Sequence, residues 1–186
     1  MVNQRIDLKI YQIKITLSGL RPLIWRRFLV KGDISLGKLH NILQYIMGWE
    51  DSHLHQFTIR GKRYGICDEN ESEGLLDERE HRLFDVISEG RFEYLYDFGD
   101  NWEHTLEIES VGPREGRVRY PICVDGARAC PPEDSGGVYG YENFLEAVRD
   151  PKHPEHGDYL DWIGDDNFHS ESFDVAQVNR LLRALR

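Results

Sequence analysis

From Ile6 to Leu17 the chain alternates apolar and polar residues: Ile6, Leu8 and Ile10, then Ile13, Ile15 and Leu17. The phase slips by one at Tyr11-Gln12, which predicts a long strand, or two, with a bulge there. After the Ser18–Pro22 turn, Ile24 to Val30 predicts another strand, with Trp25 and Arg27 on one face and Arg26 on the other. Ser35 is a favoured N-cap. The stripe Leu36, Leu39, Leu43, Ile46 and Met47 then predicts a helix that stops at Gly48. His40 lies beside that stripe and reads as a helix-surface or boundary histidine.

Period two returns at His53, His55, Phe57 and Ile59, with a tight turn expected at Gly61-Lys62. The acidic stretch Asp68–Arg82 reads as a solvated, mobile loop. Phe92–Tyr96 and Trp102–Val111 predict a hairpin in which Trp102, His104, Leu106 and Ile108 share the dry face. Arg117–Tyr120 could add a strand, and Pro121–Gly140 reads as loop because prolines and glycines interrupt it. Tyr141, Phe144, Leu145 and Val148 predict a helix; the acidic stretch from Asp158 to Phe168 reads as a loop pinned by Trp162 and Phe168. A last helix starts at Asp174. The sum is one α+β domain over residues 1–186, mainly antiparallel sheet, with three to four helices packed on one face.

Composition narrows the function. A chain of 186 residues buries roughly 70% of its unfolded surface, so it needs neither disulfides nor a structural metal to fold. Net charge is −10, which repels phosphates over most of the surface and argues against nucleic acid as partner. The three cysteines, Cys67, Cys123 and Cys130, form no C-x-x-C pair and suit a reducing compartment. No stretch is apolar and long enough to span a bilayer, and Met1–Leu8 lacks the core of a signal peptide, so the expectation is a cytoplasmic protein with no membrane partner.

The densest chemistry lies in Tyr94–His104, which holds four aromatics, two aspartates and a histidine around Gly99. Imidazole nitrogen with carboxylate oxygen suits a divalent metal such as zinc or manganese. The candidate ligands are His53, His55, His104, Glu133 and Asp134. A metal with an open position there would activate water for hydrolysis. The competing reading makes Asp97 and Asp100 turn-builders and His104 a satisfied core residue. Trp25, Arg27, Tyr96, Asp97, Asp100 and Trp102 are the candidates for binding a ligand other than a metal. Cysteine catalysis would need His104 as base to Cys123 or Cys130, and no signature ties them.

Five phrases recur together: Arg21-Pro22-Leu23-Ile24-Trp25-Arg26-Arg27; Leu39-His40 with Met47-Gly48-Trp49; His53-Leu54-His55-Gln56-Phe57; Tyr96 to His104; and Cys130 to Gly137. In these the chain resembles the Ri-plasmid ORF-three-like family, also labelled transposon passenger TnpR-type proteins, over roughly Ile10 to Leu182. The resemblance implies no catalytic residues that could be carried over. The resolvase suggested by the label finds no serine-recombinase pattern and no basic tail here. The leading expectation is a non-enzymatic accessory or interaction domain that binds a protein or small-molecule ligand at an aromatic and acidic cleft. A metal-dependent hydrolase is the alternative.

Overall fold

The computed structural model describes residues 9–67, 74–164 and 168–185. In chain order the elements are β1 (Lys9–Leu17), β2 (Trp25–Lys31), α1 (Leu36–Met47), β3 (His55–Ile59), β4 (Lys62–Gly65), β5 (Leu75–Asp77), α2 (Leu83–Val86), β6 (Gly90–Tyr96), β7 (Trp102–Pro113), β8 (Ile122–Ala127), α3 (Gly137–Arg149), α4 (His156–Ile163) and α5 (Val175–Leu182). The strands form one sheet in the order β5-β4-β3-β6-β7-β1-β2-β8. Every pairing is antiparallel except β4 with β5. The fold is therefore α+β, with four longer helices and the single turn α2 among the described residues.

The alternation along β1 and its bulge are present: the β1–β7 register shifts between Gln12 and Ile13. Ile13, Ile15 and Leu17 point into the core together with Phe28, Phe57, Tyr94 and Leu106, and the stripes of α1, α3 and α5 close over them. The opposite face stays polar, and there Arg27 forks onto Glu109 at 2.6 and 2.8 Å while Arg91 meets Glu107 at 3.1 Å. The β3–β4 turn is Arg60-Gly61, one residue earlier than expected. Both residues have positive φ (51° and 74°), as a two-residue hairpin loop of the primed type requires.

Three expectations need correction. Leu75–Asp77 is a strand parallel to β4, and Glu78 is buried, so residues 74–82 are built into the fold; residues 68–73 lie outside the described residues. A strand forms at Ile122–Ala127 inside the stretch read as loop, whereas Arg117–Tyr120 forms none. His156–Ile163 is a helix. Residues 165–167 of that acidic stretch lie outside the described residues. Arg26 faces the core at 1% exposure and has no acidic partner among the described residues. It donates to three carbonyls, Ile46 O (2.9 Å), Trp25 O (2.8 Å) and Ala127 O (2.8 Å), with Phe173 stacked 3.9 Å from its guanidinium. Pointing inward, its guanidinium ties the end of α1 to β8.

Candidate metal centre at the hairpin tip

The tip between β6 and β7 is built by its aspartates. Asp97, at φ 57°, accepts Gly99 N–H through Oδ1 (2.8 Å), and its carbonyl accepts Asn101 N–H (2.7 Å). Its own N–H goes to Leu54 O, which fastens the tip to the segment entering β3. Asp100 Oδ2 accepts Gly136 N–H (2.9 Å), drawing the proline-rich loop onto the tip. Gly137 makes that approach feasible: at φ 68°, a Cβ there would stand 2.5 Å from Asp100 O. Trp49 Nε1–H to Pro131 O (3.0 Å) and Glu50 N–H to Glu133 Oε1 (2.8 Å) fix the same loop from the other side.

This docking surrounds His53 with carboxylates. Its Nε2 lies 3.1 Å from Asp134 Oδ1, 3.7 Å from Asp97 Oδ2 and 3.8 Å from Glu133 Oε2. None of the three contacts has hydrogen-bond geometry, so His53 Nε2 and Glu133 Oε2 are buried atoms without a partner among the described residues. His53, Asp97 and Asp134 each bring one donor atom to within 4.8 Å of the others. Donors held about 2.1 Å from a common ion stand about 3–4 Å apart, so the spacing suits one cation better than direct pairing. Glu133 Oε1 accepts the Tyr96 hydroxyl proton (2.9 Å), which turns Oε2 toward His53. Asp134 lies on the rim of a cleft of about 510 Å³ whose far wall is Tyr159 and Trp162.

A second cluster lies under α1. The His40 and His55 rings stack at 3.4 Å, within 4° of parallel. His40 reaches Asp51 Oδ1 through Nε2 (2.7 Å) and the Tyr94 hydroxyl through Nδ1 (2.8 Å), while His55 reaches Glu78 Oε2 through Nε2 (2.7 Å). Both imidazoles are buried, so the expectation of a surface or boundary His40 is overturned. Burial first, and the neighbouring His55 second, hold His40 below its ordinary pKa against the pull of Asp51. The i, i+4 relation of Leu36 and His40 in the apolar stripe was the available signal.

The predicted metal ligands thus divide. His53, Glu133 and Asp134 come together, and Asp97, a candidate turn-builder and ligand-binder by sequence, joins them. His55 belongs to the α1 cluster. His104 joins neither. It faces Tyr94 across the β6–β7 ladder while His55 faces Tyr96 across β3–β6, so the Tyr94 ring stands between them, 6.0 Å from His55 and 5.4 Å from His104. Fully enclosed, His104 donates Nδ1–H to Tyr94 O (3.2 Å), and burial pushes its pKa down to about 4. Tyr96 and Trp102 are core residues, stacked and tilted against Trp49, and present no ligand-facing surface; Trp25 and Arg27 lie on the open polar face of the sheet, remote from both clusters in register. Asp100 serves as the latch to Gly136. Burial pushes the thiols of Cys123 and Cys130 up to about 11 and 12, so both stay protonated and neither is a ready nucleophile.

With the geometry in view, comparison with known proteins gives one consistent result. A family model described as plasmid pRiA4b ORF-3-like protein matches residues 9–177. The chain belongs to that family. This ORF-3-like chain is 38% identical over 174 residues to the uncharacterised protein y4hQ of Sinorhizobium fredii (strain NBRC 101917 / NGR234), covering 92% of this chain and 89% of the relative. It is also similar to the crystal structure of the protein of unknown function MM3350 from Methanosarcina mazei Go1. That match has a TM-score of 0.85 and 38% identity, and covers 91% of this chain and 97% of the other. Neither name assigns an activity. Among the described residues of the ORF-3-like chain, no helix is long and apolar enough to cross a membrane.

Proposed function

We propose that this protein binds a divalent cation at the hairpin tip through His53 Nε2, Asp97 Oδ2, Glu133 Oε2 and Asp134 Oδ1, and uses the bound ion to hold a small ligand in the adjoining cleft. The carrying observation is the convergence of three carboxylate oxygens on a buried imidazole nitrogen that hydrogen-bonds to none of them. Three carboxylates around one histidine leave an excess of negative charge, most of which a dication offsets. One nitrogen with three oxygens favours manganese, ferrous iron or zinc over softer ions. This reading keeps the expectation of a ligand-binding domain and supplies the anchor.

The hydrolase remains as a second reading because Asp134 is 71% exposed and opens onto the cleft, where an ion would keep water in its free positions. Metal analysis of the purified chain, with Mn(II) and Zn(II) titrated into EDTA-treated protein, tests the binding. One equivalent of ion that raises the melting temperature, and that is lost in both His53→Ala and Asp134→Ala, is expected. Wild-type protein that takes up no ion and melts unchanged would overturn the proposal. Metal-dependent turnover of activated phosphate or carboxylate esters, abolished by Asp134→Ala, would select the hydrolase.

A further inference from the structure

The His40–His55 cluster has the marks of a second, chemically different centre. Glu78 and Asp51 carry the acidic charge there, and Glu78 is enclosed, with 5% of its side chain exposed. Among the described residues no lysine or arginine pairs with either carboxylate. Arg79, next to Glu78 in the chain, turns to Asp77 (2.6 Å) and attracts Glu78 only through space, so a cation seated beside His55 would offset the desolvation of that carboxylate. The His55 side chain is 2% exposed, and its Nδ1 is a buried polar atom with no partner among the described residues. His40, Asp51 and His55 each bring one donor atom to within 4.8 Å of the others.

The fold holds these groups in place from behind. Gln44 accepts Asp51 N–H through Oε1 (3.0 Å) and donates Nε2–H to the Tyr94 hydroxyl (3.0 Å), so one residue of α1 orients both partners of His40. Glu78 is fixed by its N–H to Gly65 O (3.1 Å) and by its carbonyl, which accepts Gly37 N–H (3.3 Å). A Cβ on Gly37 would stand 3.0 Å from Glu78 Oε1, so the carboxylate occupies the space a side chain would need. Partners that hold the far nitrogen or oxygen of a ligand are the usual outer shell of a metal site. His40, Asp51, His55 and Glu78 line one end of a cleft of about 430 Å³.

We infer that His40, Asp51 and His55 form a second divalent-metal site beneath α1, a two-histidine, one-carboxylate set with Glu78 beside His55 and open positions toward the cleft. Two imidazoles and one carboxylate favour the borderline ions Fe(II), Co(II) and Zn(II), in contrast to the oxygen-rich set at the hairpin tip. His55 meets the ion through Nδ1, its unpartnered nitrogen, with Glu78 orienting the ring from Nε2. The inference stands whether or not the hairpin-tip proposal does.

Cobalt is the probe, because its visible absorption reports nitrogen coordination. Co(II) is titrated into the EDTA-treated wild type, His53→Ala, Asp51→Asn, His40→Asn and Glu78→Gln. Asp51 is 53% exposed, so its variant keeps the fold testable if His40→Asn melts early. Two equivalents are expected in the wild type, one of which survives His53→Ala and is lost in Asp51→Asn and His40→Asn. Glu78→Gln weakens that same equivalent about 10- to 100-fold. A single equivalent lost in His53→Ala and indifferent to Asp51→Asn would overturn this inference and leave the hairpin-tip site standing. A single equivalent lost in Asp51→Asn and kept in His53→Ala would do the reverse. No bound cobalt in folded wild type would overturn both.

Discussion

Both clusters draw on the short segment 51–55, His53 serving one and Asp51 with His55 the other, yet they are assembled in opposite ways. The hairpin-tip group is made by loops: Asp97 from the β6–β7 turn, Glu133 and Asp134 from the proline-rich loop, and His53 from the bend before β3. Its geometry depends on Asp100 holding Gly136 and on Trp49 holding Pro131. The other group rests on regular elements for its two histidines, His40 on α1 and His55 on β3, with Asp51 from the loop after α1 and Glu78 from the turn after β5. Loop docking yields a rim-exposed, oxygen-rich set, whereas helix-on-sheet packing yields a buried, nitrogen-rich one. Perturbations should therefore separate them.

The largest expected effect removes the separation. Arg26 links Ile46 O at the end of α1 to Ala127 O at the end of β8, just before the proline-rich loop, so it braces both clusters. Arg26→Ala leaves those carbonyls and Trp25 O without their donor, and should cost about 3–5 kcal/mol by chemical denaturation. Cation uptake at both clusters should weaken together; loss at one alone would show that Arg26 serves only that side.

His104, wedged against Trp49 and Tyr94 between the clusters, gives the next effect. Its folded pKa of about 4 lies below the unfolded value of about 6.5, so the unfolded chain binds more protons between those limits. The stabilisation is complete above pH about 6.5 and is lost as pH falls through about 4. Its size is on the order of 3 kcal/mol for so enclosed a group. Metal-free protein melted across that window should lose stability steadily on acidification, and His104→Gln should flatten the slope. An unchanged slope in the variant would reassign the acid sensitivity to the clusters themselves.

Gly137→Ala sharpens the contrast. A Cβ there meets Asp100 O at 2.5 Å from a backbone at φ 68°. The loop must withdraw, at a cost of about 2 kcal/mol. Ion binding at His53 should fall at least tenfold while the His40–His55 group is unmoved; equal loss at both would make the two clusters one unit. The smallest effect is expected on the open face. Arg27→Ala breaks a part-exposed pair with Glu109 and should change stability by less than about 1 kcal/mol, with both clusters intact.

Much of the scaffold was legible in the residues alone. Alternation in β1, β3 and β7 follows from a sheet with one dry face, and the bulge near Gln12 shows as a slip in phase. Ser35 and Gly48 mark the ends of α1 because capping is local chemistry: the Ser35 side chain accepts Lys38 N–H and Gly48 takes φ 97°. β5, β8 and α4 were hidden because short or polar segments gain their order from neighbours rather than from their own periodicity. His53, Glu133 and Asp134 could be named as one site from residue type, although nothing in their spacing said they would meet.

By itself, then, the sequence determined which faces are buried and where α1 and the central hairpin lie, and it supplied candidates for the site. Tertiary structure decided which of them share a site. Partnership between residues 53 and 134, or 40 and 55, depends on strand order and on how a loop docks, and those are long-range choices that no local pattern encodes. His104 shows this most clearly. Its strand phase placed it on the dry face, and only the register, with Tyr94 interposed, kept it out of either cluster.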